Sequence, residues 1–275
     1  MAIELDRLQE PLRKLRKSLK SLKKNPPPEE VHKLRTRARH IEAIAPALTS
    51  TDEKKTRRLL KSIKPVRKAA GSVRDMDVLT GNALSLPRNS HRESLLRLVE
   101  SLGTTRRKSA GALLETVSEQ RKAARQVLKK YAKLVETSAN GGRTGSAVNG
   151  QQARSVQAAI LGLEGELSHW PALSERNIHP FRLKVKELRS ILQLIPNSDA
   201  GFVAALGKVK DQIGDWHDWQ QLNGYARTVL DALEDRALLR QIEEMGEHKL
   251  EEALAAATAL RRRYLKNGRK NGATR

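Results

Sequence analysis

The sequence predicts an all-α protein. Apolar residues recur at helical spacing in nearly every segment of its 275 residues, and no segment shows sustained β alternation. Hydrophobic residues make up 38% of the chain, enough for a sizeable core. The absence of cysteine excludes disulfides, thiolate zinc sites and cysteine nucleophiles. No apolar stretch reaches the length of a membrane span and the first residues lack a signal-peptide pattern, so we expect a soluble cytoplasmic protein.

The first helix is predicted from leucines spaced alternately three and four residues apart. This seam forms a helix of about five turns that can pack in a bundle, and its members are Leu5, Leu8, Leu12, Leu15, Leu19 and Leu22. The run Asn25–Pro28 ends it, and two glutamates begin a second helix that extends to about Leu48. A third helix is predicted over roughly 52–70, with Thr51 or Asp52 as its cap.

Glycine, proline and small polar residues set the remaining predicted breaks. Gly71 and Ser72 predict a turn, followed by a helix over 73–84 and a break at Pro87. Helical patterning then resumes, and the Gly/Ser/Asn-rich stretch 137–151 predicts a linker. Further helices are predicted over 89–136, 152–168, 176–195, 199–213, 216–233 and 235–266. We therefore expect a single domain with helical halves at 3–136 and 152–266, and a disordered tail at 267–275.

Positive charge is concentrated in the first half. The chain has 53 basic and 31 acidic residues, a formal net charge of +22. Residues 1–150 contribute 34 basic and 15 acidic residues, and residues 151–275 contribute 19 and 16. An excess of this size favours a polyanionic partner, which the first half should attract. Aromatic residues are too few, at 3%, for base stacking, and Trp170, Trp216 and Trp219 are expected to pack in the second half.

Two short motifs occur in the same order in both halves. The first is an apolar residue, then His-x-x-Arg and a later basic residue, in VHKLRTRAR from Val31 and IHPFRLKVKELR from Ile178. The second is Gly-x-x-basic-Asp-x-x-x-Leu, which begins at Gly71 and at Gly214. Either motif alone is weak, but their ordered recurrence predicts two related helical halves.

The spacing of the first motif places its basic residues on one face of a helix. Offsets of 0, 3, 7 and 10 residues fall within an arc of roughly 80° and extend about 15 Å along the axis. One stripe comprises His179, Arg182, Lys186 and Arg189, and the other comprises His32, Arg35 and Arg39, with Glu42 at the fourth place. Regularly spaced cations suit a ligand with regularly spaced negative charge. A solvated helix face is the alternative for either stripe alone, and the duplication favours ligand binding.

The aspartates of the second motif are predicted to be structural. Asp75 and Asp218 are expected to orient a basic side chain or to cap a helix at the glycine turn. Asp77 accompanies Asp75, but Gln220 stands at its counterpart, so a paired-carboxylate mechanism is not repeated. The sequence has no phosphate-binding loop, zinc-protease motif or hydrolase elbow. We therefore expect no catalytic residue, no metal site and no cofactor.

These motifs resemble those of the CHAD family, the conserved histidine α-helical domain, and the resemblance covers about residues 3–266. It implies two four-helix bundles related by pseudo-two-fold symmetry around a basic groove or pore. It also implies binding of inorganic polyphosphate, without chemistry, at polyphosphate granules and alongside granule-associated proteins. The implied ligand contacts are His32, Arg35, Arg39, His179, Arg182, Lys186 and Arg189, with Lys64, Arg67 and Lys210 as weaker candidates.

Three other functions remain open from the sequence. Net charge alone favours a nucleic-acid-binding protein, although no recognition motif is present and we expect nucleic acid to be the weaker competitor. A polyphosphate-processing enzyme would need an acidic metal-binding cluster, which the sequence lacks. A coiled-coil-like scaffold would depend on the leucine seam rather than on the charge.

Overall fold

The computed structural model describes residues 5–48, 53–87, 91–140, 145–193, 195 and 198–265. These ranges contain α-helices and one π-helical turn but no strand, which confirms the all-α prediction. None of the helices in them is long and apolar enough to cross a membrane. The predicted cap at residues 51–52 and the tail at 267–275 lie outside these ranges. The helices are α1 (Leu5–Ser21), α2 (Pro28–Leu48), α3 (Glu53–Ser85), α4 (Arg92–Asn140), α5 (Gly145–Ser168), α6 (Glu175–Leu192), α7 (Ala200–Val229) and α8 (Arg236–Leu260), followed by the π-helical turn Arg261–Leu265.

The chain divides into two compact units, each with a core of its own. The first unit is Met1–Ser85 with Val99–Gly145, and its core takes residues from α1, α2, α3 and α4. Leu12, Leu15 and Leu19 of the predicted seam are at most 2% exposed, and Leu22 packs at the edge of the same core. The side chains of the two earlier seam leucines lie outside the described part. The seam is therefore the buried face of α1.

The second unit is Leu86–Leu98 with Ser146–Arg275, and α5, α6, α7 and α8 build its core. Phe181 is fully buried there, and the Trp170 ring meets it edge-on at a centroid distance of 5.6 Å. Trp216 and Trp219 are each 5% exposed. The predicted packing of the three tryptophans in the second half is therefore confirmed. The pseudo-two-fold relation between the halves remains a prediction.

Two predicted breaks at glycine are wrong. Helix α3 continues through Gly71 to Ser85, and α7 continues through Gly214 to Val229. A glycine inside a helix costs only about 1 kcal/mol relative to alanine. Buried residues on both sides, such as Ile213 and Trp216 around Gly214, hold the helix in place. Burial of apolar side chains across the glycine outweighs its poor helix propensity.

The predicted linker over 137–151 is also different in the structure. Helix α4 covers 137–140 and α5 covers 145–151, and the intervening 141–144 lie outside the described residues. Glycine, serine and asparagine disfavour a helix by at most about 1 kcal/mol each, so packed helices on either side can extend through them. Residues 137–140 and 145–151 of the predicted linker are therefore helical.

A buried carboxylate explains why residues 86–98 belong to the second unit. Asp235, at the start of α8, is 3% exposed and accepts hydrogen bonds from the Ser94 hydroxyl and the Arg97 guanidinium. Its other oxygen accepts the backbone N–H of Asp231 at 2.9 Å. These contacts hold the pKa of the Asp235 carboxyl below its usual value, chiefly through the Ser94 hydroxyl. The first turns of α4 are thereby fixed to the α7–α8 connection.

We predict that Asp235→Ala lowers the free energy of unfolding of the second unit by about 2–3 kcal/mol, because Arg97 and Ser94 lose their buried acceptor. Urea denaturation followed by tryptophan fluorescence measures this, since all three tryptophans lie in that unit. The control is Glu234→Ala, an exposed neighbour that should change stability by less than about 0.5 kcal/mol. Equal effects from both variants would contradict the role of Asp235.

Candidate functional site

The first basic stripe lies on the part of α2 that the core leaves uncovered. Val31, Leu34 and Ala38 are fully buried, so the helix turns its intervening residues away from the core. His32 is exposed and Arg35 is half-buried. A half-buried arginine has an ordered stem and a guanidinium that still reaches solvent, which is a suitable arrangement for binding an anion.

In the first unit, the arginine of the His-x-x-Arg motif lies against the glycine of the second motif. The Arg35 Nε is 3.6 Å from the point where a side chain on Gly71 would begin. Gly71 itself is buried inside α3. Arg35 and Gly71 are 36 residues apart in the sequence, and through them the two motifs meet at the contact between α2 and α3.

The second unit contains the same contact in a tighter form. Arg182 of α6 approaches Gly214 of α7 so closely that a Cβ there would lie 2.7 Å from its Nη2. The Arg182 Nε also donates to the backbone carbonyl of Lys210 at 3.0 Å. No Cβ can occupy that position unless Arg182 moves. Glycine is thus required in α7 for the guanidinium to lie on the helix backbone.

The far ends of the two stripes differ. Arg189 lies against a second glycine of α7, with its Nε 3.2 Å from the position of a Cβ on Gly207. In the first unit, Glu42 occupies the place of Arg189 and accepts from the Nε of Arg67 at 2.7 Å. The acid therefore neutralises Arg67, one of the predicted weaker ligand contacts. The first stripe therefore ends before Glu42, whose carboxylate pairs with Arg67 instead of leaving a fourth cation for a ligand.

Each motif histidine interacts with the basic residue of the second motif. The rings of His179 and His217 lie 4.8 Å apart between centroids. In the first unit, partial desolvation of the otherwise exposed His32 lowers its pKa, and the positive charges of Arg74 and Arg35 lower it further. His32 therefore favours its neutral form in the absence of an anion. An anion bound beside it would reverse this preference.

The aspartates do not cap helices, because both lie within continuous helices. Asp75 and Asp218 are half-buried, and each takes part in at least one polar interaction. The Asp77 side chain is 4% exposed and accepts from the Nε of Arg106 at 2.6 Å, while the same guanidinium donates to the Pro26 carbonyl at 2.9 Å. Asp77 thus joins α3 to α4 and to the α1–α2 connection. Within the described ranges no three His, Asp or Glu side chains are placed to hold a metal ion.

The remaining predicted contacts occupy the same helices. Arg39 and Lys186 are half-buried on α2 and α6, and Lys64 is exposed on α3. Lys210 is half-buried on α7, where its Nζ forms an ion pair with the neighbouring Asp211 carboxylate. The predicted residues of each unit are therefore distributed over one helix pair, α2 with α3 or α6 with α7.

Sequence reasoning missed the residues that support the stripes. The sequence predicts turns at Gly71 and Gly214 and gives no role to Gly207, and only the structure shows that an arginine packs against each of them. Arg74 and His217 are the basic residues of the second motif, yet they are absent from the contacts that the sequence predicts. Their recurring basic character was the signal that could have identified them.

Two comparisons with known proteins show the family and the fold of this chain. Residues 6–224 match the family described as CHAD domain. This chain belongs to the CHAD family. A crystal structure of the CHAD domain from the plant Ricinus communis superposes with a TM-score of 0.65 and 19% identity, covering 93% of this chain and 89% of that one. At this identity the likeness concerns the fold. No curated protein matches the chain.

The arginine–glycine contact of this CHAD domain can be tested with single alanines. Gly214→Ala is expected to displace Arg182 and break its bond to Lys210, whereas Gly71→Ala places a Cβ in ordinary contact with Arg35. Displacement of Arg182 should weaken anion binding several-fold, while the gain of up to about 1 kcal/mol in helix propensity protects stability. Titration calorimetry with tripolyphosphate and thermal unfolding measure the two effects.

The matched control is Gly224→Ala, in the same helix, where a Cβ meets no atom within 4 Å. It should gain helix propensity and leave binding unchanged. If Gly214→Ala and Gly224→Ala bind tripolyphosphate equally well, then the position of Arg182 on the helix backbone has no part in binding.

Proposed function

We propose that this CHAD domain binds inorganic polyphosphate non-covalently, through the basic stripes of α2 and α6 and the cations of α3 and α7 facing them. The observation that carries the proposal is the arginine–glycine contact, which recurs in both units at matching places in the repeat. A solvated helix face needs no such contact. Each unit positions a guanidinium group in this way, which supports binding of one ligand whose negative charges repeat along its length.

The binding mechanism is charge matching by partly ordered cations. A flexible surface lysine or arginine loses side-chain entropy when it binds an anion. Arg182 has part of that entropy already removed by Gly214 and the Lys210 carbonyl. Each contact also releases counterions condensed on the polymer, so affinity falls as the salt concentration rises.

The proposed contacts are not equivalent. Arg35, Arg182 and Arg189 lie against glycines and form the ordered centre of the proposed site. His32, Arg39, His179 and Lys186 complete the stripes, and Arg74 and His217 join them from α3 and α7. Arg67 and Lys210 contribute less because each faces a carboxylate, and Lys64 acts as a general exposed cation.

We propose that the protein carries out no chemistry on the polymer. The buried side chain of Asp77 is already engaged by Arg106, so it is not a free base. The protein would then be located wherever polyphosphate accumulates, such as at granules, with granule-associated proteins as its expected partners.

A competition experiment tests this function. Labelled long-chain polyphosphate is bound at physiological salt and challenged with equal phosphate equivalents of duplex DNA. We expect DNA to displace little of it, and a variant with Arg35, Arg39, Arg182 and Lys186 changed to alanine to bind at least about tenfold more weakly. The variant removes four positive charges from half-buried stripe positions.

The matched control changes four exposed cations elsewhere, Arg13, Lys17, Lys208 and Arg236, to alanine. It lowers the net charge by the same amount and should weaken binding far less. If both quadruple variants weaken binding alike and DNA competes equally, the protein binds any polyanion through its net charge, which favours the nucleic-acid alternative.

Binding should also take up protons at His32. At pH 7 the lowered pKa keeps His32 mostly neutral in the free protein, and a bound polyanion raises that pKa, so the imidazole gains a proton. Affinity should therefore rise as the pH falls from 8 towards 6. Calorimetry in buffers of different ionisation enthalpy counts the protons. His32→Gln should take up fewer, and an unchanged count would refute the coupling.

A further inference from the structure

The first unit has a second concentration of cations, on a different pair of helices from its stripe. A groove of about 420 Å³ lies between α1 and α4, and we call it the α1–α4 groove. Arg16 lines one side from α1. The other side is formed by α4, which contributes Arg121, Lys122, Arg125, Gln126 and Lys129. Five of these six side chains are cations.

The charge of the α1–α4 groove is uncompensated within the described part of the chain. No carboxylate lines it, and none of its five cations forms an ion pair with a described residue. Elsewhere in this unit cations do pair with acids, as Lys14 does with Glu10 and Arg106 with Asp77. Holding like charges together costs free energy, and a bound anion would relieve that cost.

Arg125 supplies an independent indication of a ligand. Its neighbours along the helix, Ala124 and Leu128, are 1% exposed in the core. Its Nε is buried and has no hydrogen-bond partner among the described residues. A buried donor without an acceptor is costly and therefore rare. An anion held at the half-buried Arg125 would provide the acceptor once the side chain turns its Nε towards the groove.

The arrangement of the cations indicates an extended rather than a compact anion. Arg121, Arg125 and Lys129 are four residues apart, so they follow one another along α4 at intervals of about 6 Å. Arg16 lies opposite this row. A single phosphate can meet only part of such a row, whereas a chain of linked phosphates can follow it.

We propose that the α1–α4 groove binds a segment of linear phosphate chain, of three or more linked phosphates, independently of the basic stripes. The choice of phosphate rather than another anion rests on the proposed function. The groove's own evidence is the unpaired row of cations and the buried, unsatisfied Nε of Arg125. Two such sites on one unit would let a long polymer bind at several points, which raises avidity.

The test uses the full chain with the quadruple stripe change to alanine as background, so that the groove is observed alone. Tripolyphosphate is titrated by calorimetry at physiological salt. We expect one site per chain to remain. Adding Arg121→Ala and Lys129→Ala, both exposed positions, should weaken that site at least about tenfold, and Arg125→Lys should weaken it less because its charge remains.

The matched control adds Arg107→Ala and Lys108→Ala, two exposed cations of α4 that do not line the groove and lie about 20 Å before Arg121 along the helix. It should change the affinity less than about threefold, because salt screens charges beyond about 8 Å. Circular dichroism checks that each variant is folded. Equal weakening by the groove and control changes would overturn the proposal, as would equal competition from duplex DNA.

The two proposals can fail separately. If the stripe variant no longer binds tripolyphosphate at all, the groove is not a site and the proposed function of the stripes stands. If the stripe variant binds long-chain polyphosphate as well as the wild type and only the groove changes abolish binding, the stripes are not the site and the groove is.

Discussion

A guanidinium that lies on a glycine of the neighbouring helix is the contact on which the rest of the candidate site depends. It requires two residues that are distant in sequence, an arginine one turn after the motif histidine and a glycine within the next helix of the pair. The glycine lets the arginine approach the helix backbone, and the guanidinium group fills the space that a side chain would otherwise occupy. Each unit therefore stabilises the pairing of its helices and orders a cation through one contact.

Net charge and site geometry are distributed differently between the two units. The first half of the chain carries most of the excess positive charge, yet its stripe ends at Glu42, which pairs with Arg67. The second half is nearly balanced, yet its stripe continues to Arg189 and contacts glycine twice. Long-range attraction and short-range recognition are thus separate properties. The first depends on the total charge, and the second depends on which guanidinium groups the backbone can hold.

The sequence predicted the helical class, the buried leucine seam and the two motif pairs, because these depend on periodicity and on spacing within single helices. It failed where a residue's role depends on a partner from another helix. Gly71 and Gly214 predicted turns because local propensity contains no information about Arg35 or Arg182. Glu42 and Arg67 form an ion pair although they are 25 positions apart. Because the sequence does not show that they meet, it leaves Arg67 among the candidate contacts.

The contacts of Asp235 have a consequence for how this chain can be divided. Ser94 and Arg97 donate hydrogen bonds to that buried carboxylate. The second unit therefore includes the segment Leu86–Leu98, which precedes most of α4. A fragment cut at the Gly/Ser/Asn-rich stretch would contain the acid without its donors. The boundary suggested by composition therefore does not by itself separate the two compact units. Fragments or fusions that keep the second unit whole must include residues 86–98 with the later helices.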